Sequence, residues 1–97
     1  MKHIKINSSK ISDWDSFHNV FSEIFNFPDY YGRNINAWID CMDELTTELT
    51  LIDFGDCREL KNKQPEIINS INECSAFVNF RRIEAEEEPV LIISMFS

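Results

Sequence analysis

Polar and apolar residues alternate at the start of the chain, where Lys2-His3-Ile4-Lys5-Ile6 sets Ile4 and Ile6 on one face; this period of two predicts a short strand ending at Asn7. From Ile11 the period changes. Trp14, Phe17, Phe21, Ile24 and Phe25 keep helical spacing, and Ser12-x-x-Asp15 resembles a capping box with Asp in place of Glu. A helix is therefore expected to run to about Phe25 and to be closed by Phe27-Pro28. A second helix follows Asn34, a suitable N-cap, with Ile35, Trp38, Met42 and Leu45 as its core face. Leu49 to Phe54 is rich in β-branched and aromatic residues, ends at Gly55-Asp56, and reads as a second strand; Cys57 to Lys63 suits a short helix.

Pro65 fits the first position of a third long helix, with Ile67, Ile68, Ile71, Cys74 and Val78 turned inward. Beyond it, Phe77, Val78, Phe80 and Ile83 allow either a longer helix or an extended segment, and a helix to about Arg82 is the reading adopted. Glu84, Glu86, Glu87 and Glu88 mark a solvated turn before Pro89, and Val90 to Phe96 is the apolar run expected of a strand buried on both faces of a parallel sheet. The order of elements predicts an α/β fold, one domain over residues 1–97 with a small three-stranded parallel sheet packed by helices.

Composition narrows the function. Seventeen acidic residues against nine basic give a formal net charge of -8. Nucleic acid and anionic membrane would repel the chain as a whole, so neither is expected as a direct partner, and a basic protein fits better. Solubility alone accounts for the acidity equally well. The opening lacks the apolar run of a signal peptide, and no stretch nears the ~18 apolar residues of a membrane span, so a cytoplasmic location is expected. Cys41, Cys57 and Cys74 form no C-x-x-C pair and read as reduced thiols. His18 reads as a packed or capping residue, His3 has no visible partner, and no Gly-rich phosphate loop is present; catalysis, cofactor and metal are not expected.

On the second helix, Asn36, Asp40 and Asp43 share a polar stripe beside the core face, flanked by Ile39 and Glu44. Ile39 is either a core-edge residue or part of a contact surface. Tyr30 and Tyr31 fall in the preceding loop, where at least one should be partly exposed, and Gly32 is suited to a positive φ that lets a partner's backbone approach. The alternative is that one tyrosine packs inward and Gly32 merely makes the turn.

From Phe17-His18 through Pro28-Asp29-Tyr30-Tyr31-Gly32-Arg33-Asn34 to Asp40-Cys41, the chain resembles the barstar family, intracellular inhibitors of the ribonuclease barnase, and it does so without a gap. Leu49 to Phe54 and Leu91 to Ser94 resemble that family's second and third strands. The resemblance implies a barstar-like fold and an inhibitor, not an enzyme, that plugs a basic ribonuclease active site in a 1:1 complex. It implies that Tyr30 covers the ribonuclease's catalytic histidine, that Tyr31, Gly32 and Asn34 make neighbouring contacts, that Asp40 is the central carboxylate, and that Glu73 is a peripheral acid on the last long helix. The physical logic is direct: a cleft built to hold phosphate with Arg, Lys and His concentrates positive field, and a carboxylate on a rigid helix can take the phosphate's place. Asn36, Ile39, Arg33 and Trp38 stand where the family has a carboxylate, a tryptophan, a glutamate and a leucine, while Asp43 and Glu44 offer charge a turn later. These differences imply a target other than barnase, such as a secreted or contact-delivered toxin. Two further readings remain: an acidic interaction or regulatory module with a non-nuclease partner, and a hydrolase using Asp40 and Asp43 with a divalent cation.

Overall fold

In the computed structural model, which describes residues 1–97, the elements follow as β1 (Lys2–Lys5), a 3-10 turn (Ser8–Lys10), α1 (Trp14–Phe25), α2 (Ile35–Leu45), β2 (Thr50–Asp56), α3 (Arg58–Lys63), α4 (Pro65–Glu84) and β3 (Leu91–Phe96). The three strands are parallel and lie in sequence order, with Ile4 beside Ile52 and Ile52 beside Ile93. Parallel neighbours need crossover connections, and right-handed crossovers that always step the same way place every helix on the same side of the sheet.

Burial follows that geometry. Thr50, Ile52 and Phe54 of β2 and Leu91 of β3 are buried under the helices, whereas His3, Lys5, Ile92, Ser94 and Phe96 lie open on the uncovered side. The expectation that β3 is buried on both faces is thus corrected. An apolar run looks the same whether one face or two are covered, and here β3 is an edge strand with no crossover behind it. Gly55 sits at a register shift in β2 with φ 64°, a left-handed conformation that favours glycine.

The helices end where local chemistry dictates. Asp13 caps α1, its carboxylate accepting from Ser16 N while Ser16 Oγ accepts from Asp13 N, so the capping box lies one residue later than Ser12-x-x-Asp15 suggests. At the other end Asn26 takes the left-handed region, φ 54°, and stops the helix before Phe27-Pro28. Asn34 caps α2 by accepting from Ala37 N at 2.8 Å, and Pro65 opens α4.

Trp38 occupies the middle of the core. It is edge-on to Phe21 at 5.4 Å between ring centroids and lies 6.1 Å from Phe17, and Phe21 in turn reaches Phe54 of β2. Offset and edge-on aromatic contacts of this kind add about 0.5–1.5 kcal/mol each beyond area burial. Its indole N–H has no partner, a cost that this packing has to offset.

Helix α4 runs two residues past the expected Arg82 and carries two apolar faces. Ile67, Ile68, Ile71 and Val78 are buried with Ser75, while Phe77, Phe80 and Ile83 face outward; Cys74, expected in the core, is only partly buried. Asn79 ties this helix to the sheet. Its Oδ1 accepts from Val90 N and Leu91 N at 3.0 and 2.9 Å, and its Nδ2 donates to Leu91 O at 2.9 Å. Removing three hydrogen bonds at a partly buried strand start is worth about 2–3 kcal/mol. Asn79→Ala should lower the free energy of unfolding measured in urea by that amount, and Asn79→Asp, which keeps the acceptor, should lose less.

Candidate protein-interaction site

Helix α2 carries its core along Trp38, Ile39 and Met42, all buried, and this arc decides what is left outside. Ile39 is 9% exposed and belongs to the core, whereas Leu45, expected inside, is 42% exposed. At about 100° per residue, Ile39 and Met42 flank the arc's centre, and Leu45 in the last turn swings past its edge. Outside the arc lie Asn36, Asp40 and Glu44, at steps of four, and all three are exposed.

Asp43 does not belong with them. Its carboxylate receives Arg82 Nε at 2.6 Å, and Arg82 Nη2 also donates to the carbonyl oxygens of Asp43 and, at 2.8 Å, Thr46. The guanidinium thereby satisfies two of the carbonyls that a helix end leaves unpaired, and places a cation at the negative end of the helix dipole. The Asp43 side chain is 25% exposed against 69% for Asp40, so Asp43 is a structural acid and Asp40 a presented one. Asp40 and Asp43 are each engaged by an arginine of α4.

The loop before α2 divides its two tyrosines. Tyr30 is 85% exposed, while Tyr31 is 9% exposed and turns inward, its ring edge-on to Phe27 and its hydroxyl 2.5 Å from Nδ1 of the buried His18. We assign the phenol as donor and place the imidazole proton on Nε2, since a neutral imidazole nitrogen is the better acceptor. Burial, with Cys41 contributing, pushes the Tyr31 phenol far above its ordinary range, so it keeps its proton. Burial, helped by the charge of Arg33 and opposed by Asp15, pulls His18 below the ordinary imidazole value.

Gly32 is exposed and does not take the positive φ expected of it; Arg33 does, at 52°. What glycine provides is room, because a Cβ there would lie 3.3 Å from Asn34 Nδ2 and crowd the capping side chain. Arg33 reaches back to α1 and pairs with Asp15 at 2.6 Å. Asn34 is exposed, but its side chain is committed to the cap and to Gly32 O.

Tyr30, Tyr31, Gly32, Asp40, Cys41 and Glu44 border an open cleft of about 330 Å³ whose lining combines apolar side chains with two carboxylates. Burial pushes the Cys41 thiol up, and the charges of Glu44 and Asp40 add to this, which leaves it a poor nucleophile. Glu73 stands apart on α4, exposed, on an i, i+4, i+8 stripe with Phe77 and Arg81. The loop and α2 therefore bring together Tyr30, Asn36, Asp40 and Glu44 as an outward surface, and withdraw Tyr31, Ile39 and Asp43 from it. Arg81 and Arg82 are the contributors that sequence reading overlooked. Their acids lie 41 and 39 residues away, and no local pattern links them.

A family model described as Barstar (barnase inhibitor) matches residues 1–93 of the chain. A search of curated proteins finds no match.

Two stability measurements check these assignments. Asp43→Asn, which weakens the Arg82 clamp, should cost about 1–3 kcal/mol in urea unfolding, whereas Asp40→Asn should stay within about 0.5 kcal/mol of the parent. For His18 the folded value lies below the unfolded one, so the unfolded chain binds the extra proton. Its contribution is whole above pH ~6.5 and declines as pH falls from there toward the folded value. Between pH 7 and 5 the unfolding midpoint should drop more in the parent than in His18→Gln.

Proposed function

The chain belongs to the barstar family, whose members are ribonuclease inhibitors rather than enzymes, and from that premise we propose that it blocks the active site of a cognate ribonuclease with the Tyr30 loop and the outer stripe of α2. The observation that carries this reading is the position of Asp40: exposed, in the middle of a helix capped at its start by Asn34 and clamped at its end by Arg82, and beside the open cleft that Tyr30 borders. A carboxylate held this way loses little freedom on binding, and so suits a cleft whose cations are arranged for a phosphate. Occupation of the cleft excludes RNA both sterically and electrostatically.

Tyr30 supplies a rigid ring against the rim of the partner's site, and Glu44 extends the negative stripe one turn further. The net charge of -8 favours encounter with a basic enzyme. Tyr31 and Ile39 act from beneath, as supports of the surface. With Asn36 neutral and Ile39 buried, the stripe is less acidic and less aromatic than the family pattern, in keeping with a ribonuclease other than barnase. We assign the chain an immunity or antitoxin role, as a 1:1 complex that protects the cell producing the ribonuclease.

Co-expression with the toxic product of the adjoining reading frame, with growth and RNA integrity as readouts, tests the reading. The parent chain should rescue. Asp40→Ala should lose about 2–5 kcal/mol of affinity, a range drawn in part from the barnase and barstar pair itself, and rescue should fail or weaken accordingly. Glu44→Gln should chiefly slow association and flatten its salt dependence. Equal rescue by the parent and Asp40→Ala would overturn the role of Asp40; rescue by neither would overturn the assignment of the partner.

A further inference from the structure

Arg81 leans from α4 onto the outer stripe of α2. Its Nη1 donates to Asp40 Oδ1 at 3.1 Å, its Nε lies 3.8 Å from Asp43 Oδ2, and its guanidinium carbon is 5.9 Å from the centre of the Phe77 ring. The aromatic face and the second carboxylate keep the guanidinium in place even though it remains 41% exposed. Its neighbour Arg82 is fixed among the last carbonyls of α2, so the register of α4 delivers Arg81 to Asp40 as a matter of helix geometry.

We propose that Arg81 is a specificity-determining residue: an internal counter-ion on one oxygen of Asp40 that a partner's cations must displace to hold both. This rests on the reading of Asp40 as the central contact. A diffuse basic surface that brings one flexible ammonium at a time exchanges one exposed ion pair for another, and gains almost nothing. A pocket that converges several cations on one point, as a phosphate-binding cleft does, addresses both carboxylate oxygens and outcompetes the single Arg81 bond. Arg81 thus works against the wrong basic partners, of which an acidic protein meets many, at a modest loss of affinity for the right one.

The contrary role, in which Arg81 merely holds Asp40 in a productive rotamer, predicts the opposite sign. Removing Arg81 would then weaken cation binding at Asp40 instead of strengthening it.

A hexa-lysine peptide serves as the probe of diffuse positive charge. Its affinity, measured by calorimetry at low ionic strength, is compared for the parent chain, Arg81→Gln, Asp40→Asn and the double variant. Arg81→Gln should tighten binding about two- to fivefold when Asp40 is present, the scale of an exposed ion pair. The same substitution in the Asp40→Asn background changes net charge equally, and should tighten binding clearly less. An equal gain in both backgrounds, no gain, or a loss would overturn the proposal. No ribonuclease enters this titration, so a failed rescue in co-expression leaves its result standing, and a failed titration leaves the inhibitor reading standing.

Discussion

Every α-helix ends in carbonyls that its own backbone cannot satisfy, and in α2 the Asp43 and Thr46 carbonyls are met by Arg82, reaching across from α4. The same side chain takes up the Asp43 carboxylate in a partly buried setting, where charge-assisted hydrogen bonds count for more than on an open surface. One residue therefore closes the helix end, joins two elements separated by β2 and α3, and holds α2 in the rotation that the burial of Trp38, Ile39 and Met42 sets. The outward direction of Asn36, Asp40 and Glu44 follows from that rotation.

Beneath this joint lies a core with only one side. Because the crossovers place all the helices over the same sheet face, α1, α2 and α4 compete for the same strip of β2, and large aromatic side chains fill the gap. Trp38 meets Phe17 and Phe21, and Tyr31 reaches His18, so the loop between α1 and α2 is anchored at both ends and through its middle. A loop tied down in this way can hold out Tyr30, almost fully exposed, without becoming slack.

Much of the fold was legible from residue pattern because its elements are signalled locally. The alternation around Ile4, the cap at Asn34 and the proline at Pro65 each act within a few residues, and the elements formed there. The misreadings fall where the deciding contact is distant. Whether β3 is covered on one face or two depends on crossovers elsewhere in the chain, and Asp43 is withdrawn by an arginine on another helix. Neighbouring local patterns can also be degenerate: Ser12-x-x-Asp15 and Asp13-x-x-Ser16 both satisfy a capping rule, and only the second is used. Tyr30 and Tyr31 are chemically identical, so nothing in their side chains told which would find His18.

The division of acids along α2 has a consequence for how the sequence can drift. Asn36, Asp40 and Glu44 touch neither the aromatic core nor the Arg82 joint, so replacements there alter a surface without taxing the fold. Tyr31, Asn34, Asp43 and Arg82 have no such latitude, since each is spoken for within the molecule. A chain with this scaffold can therefore exchange one outer stripe for another in small steps, each intermediate still folding.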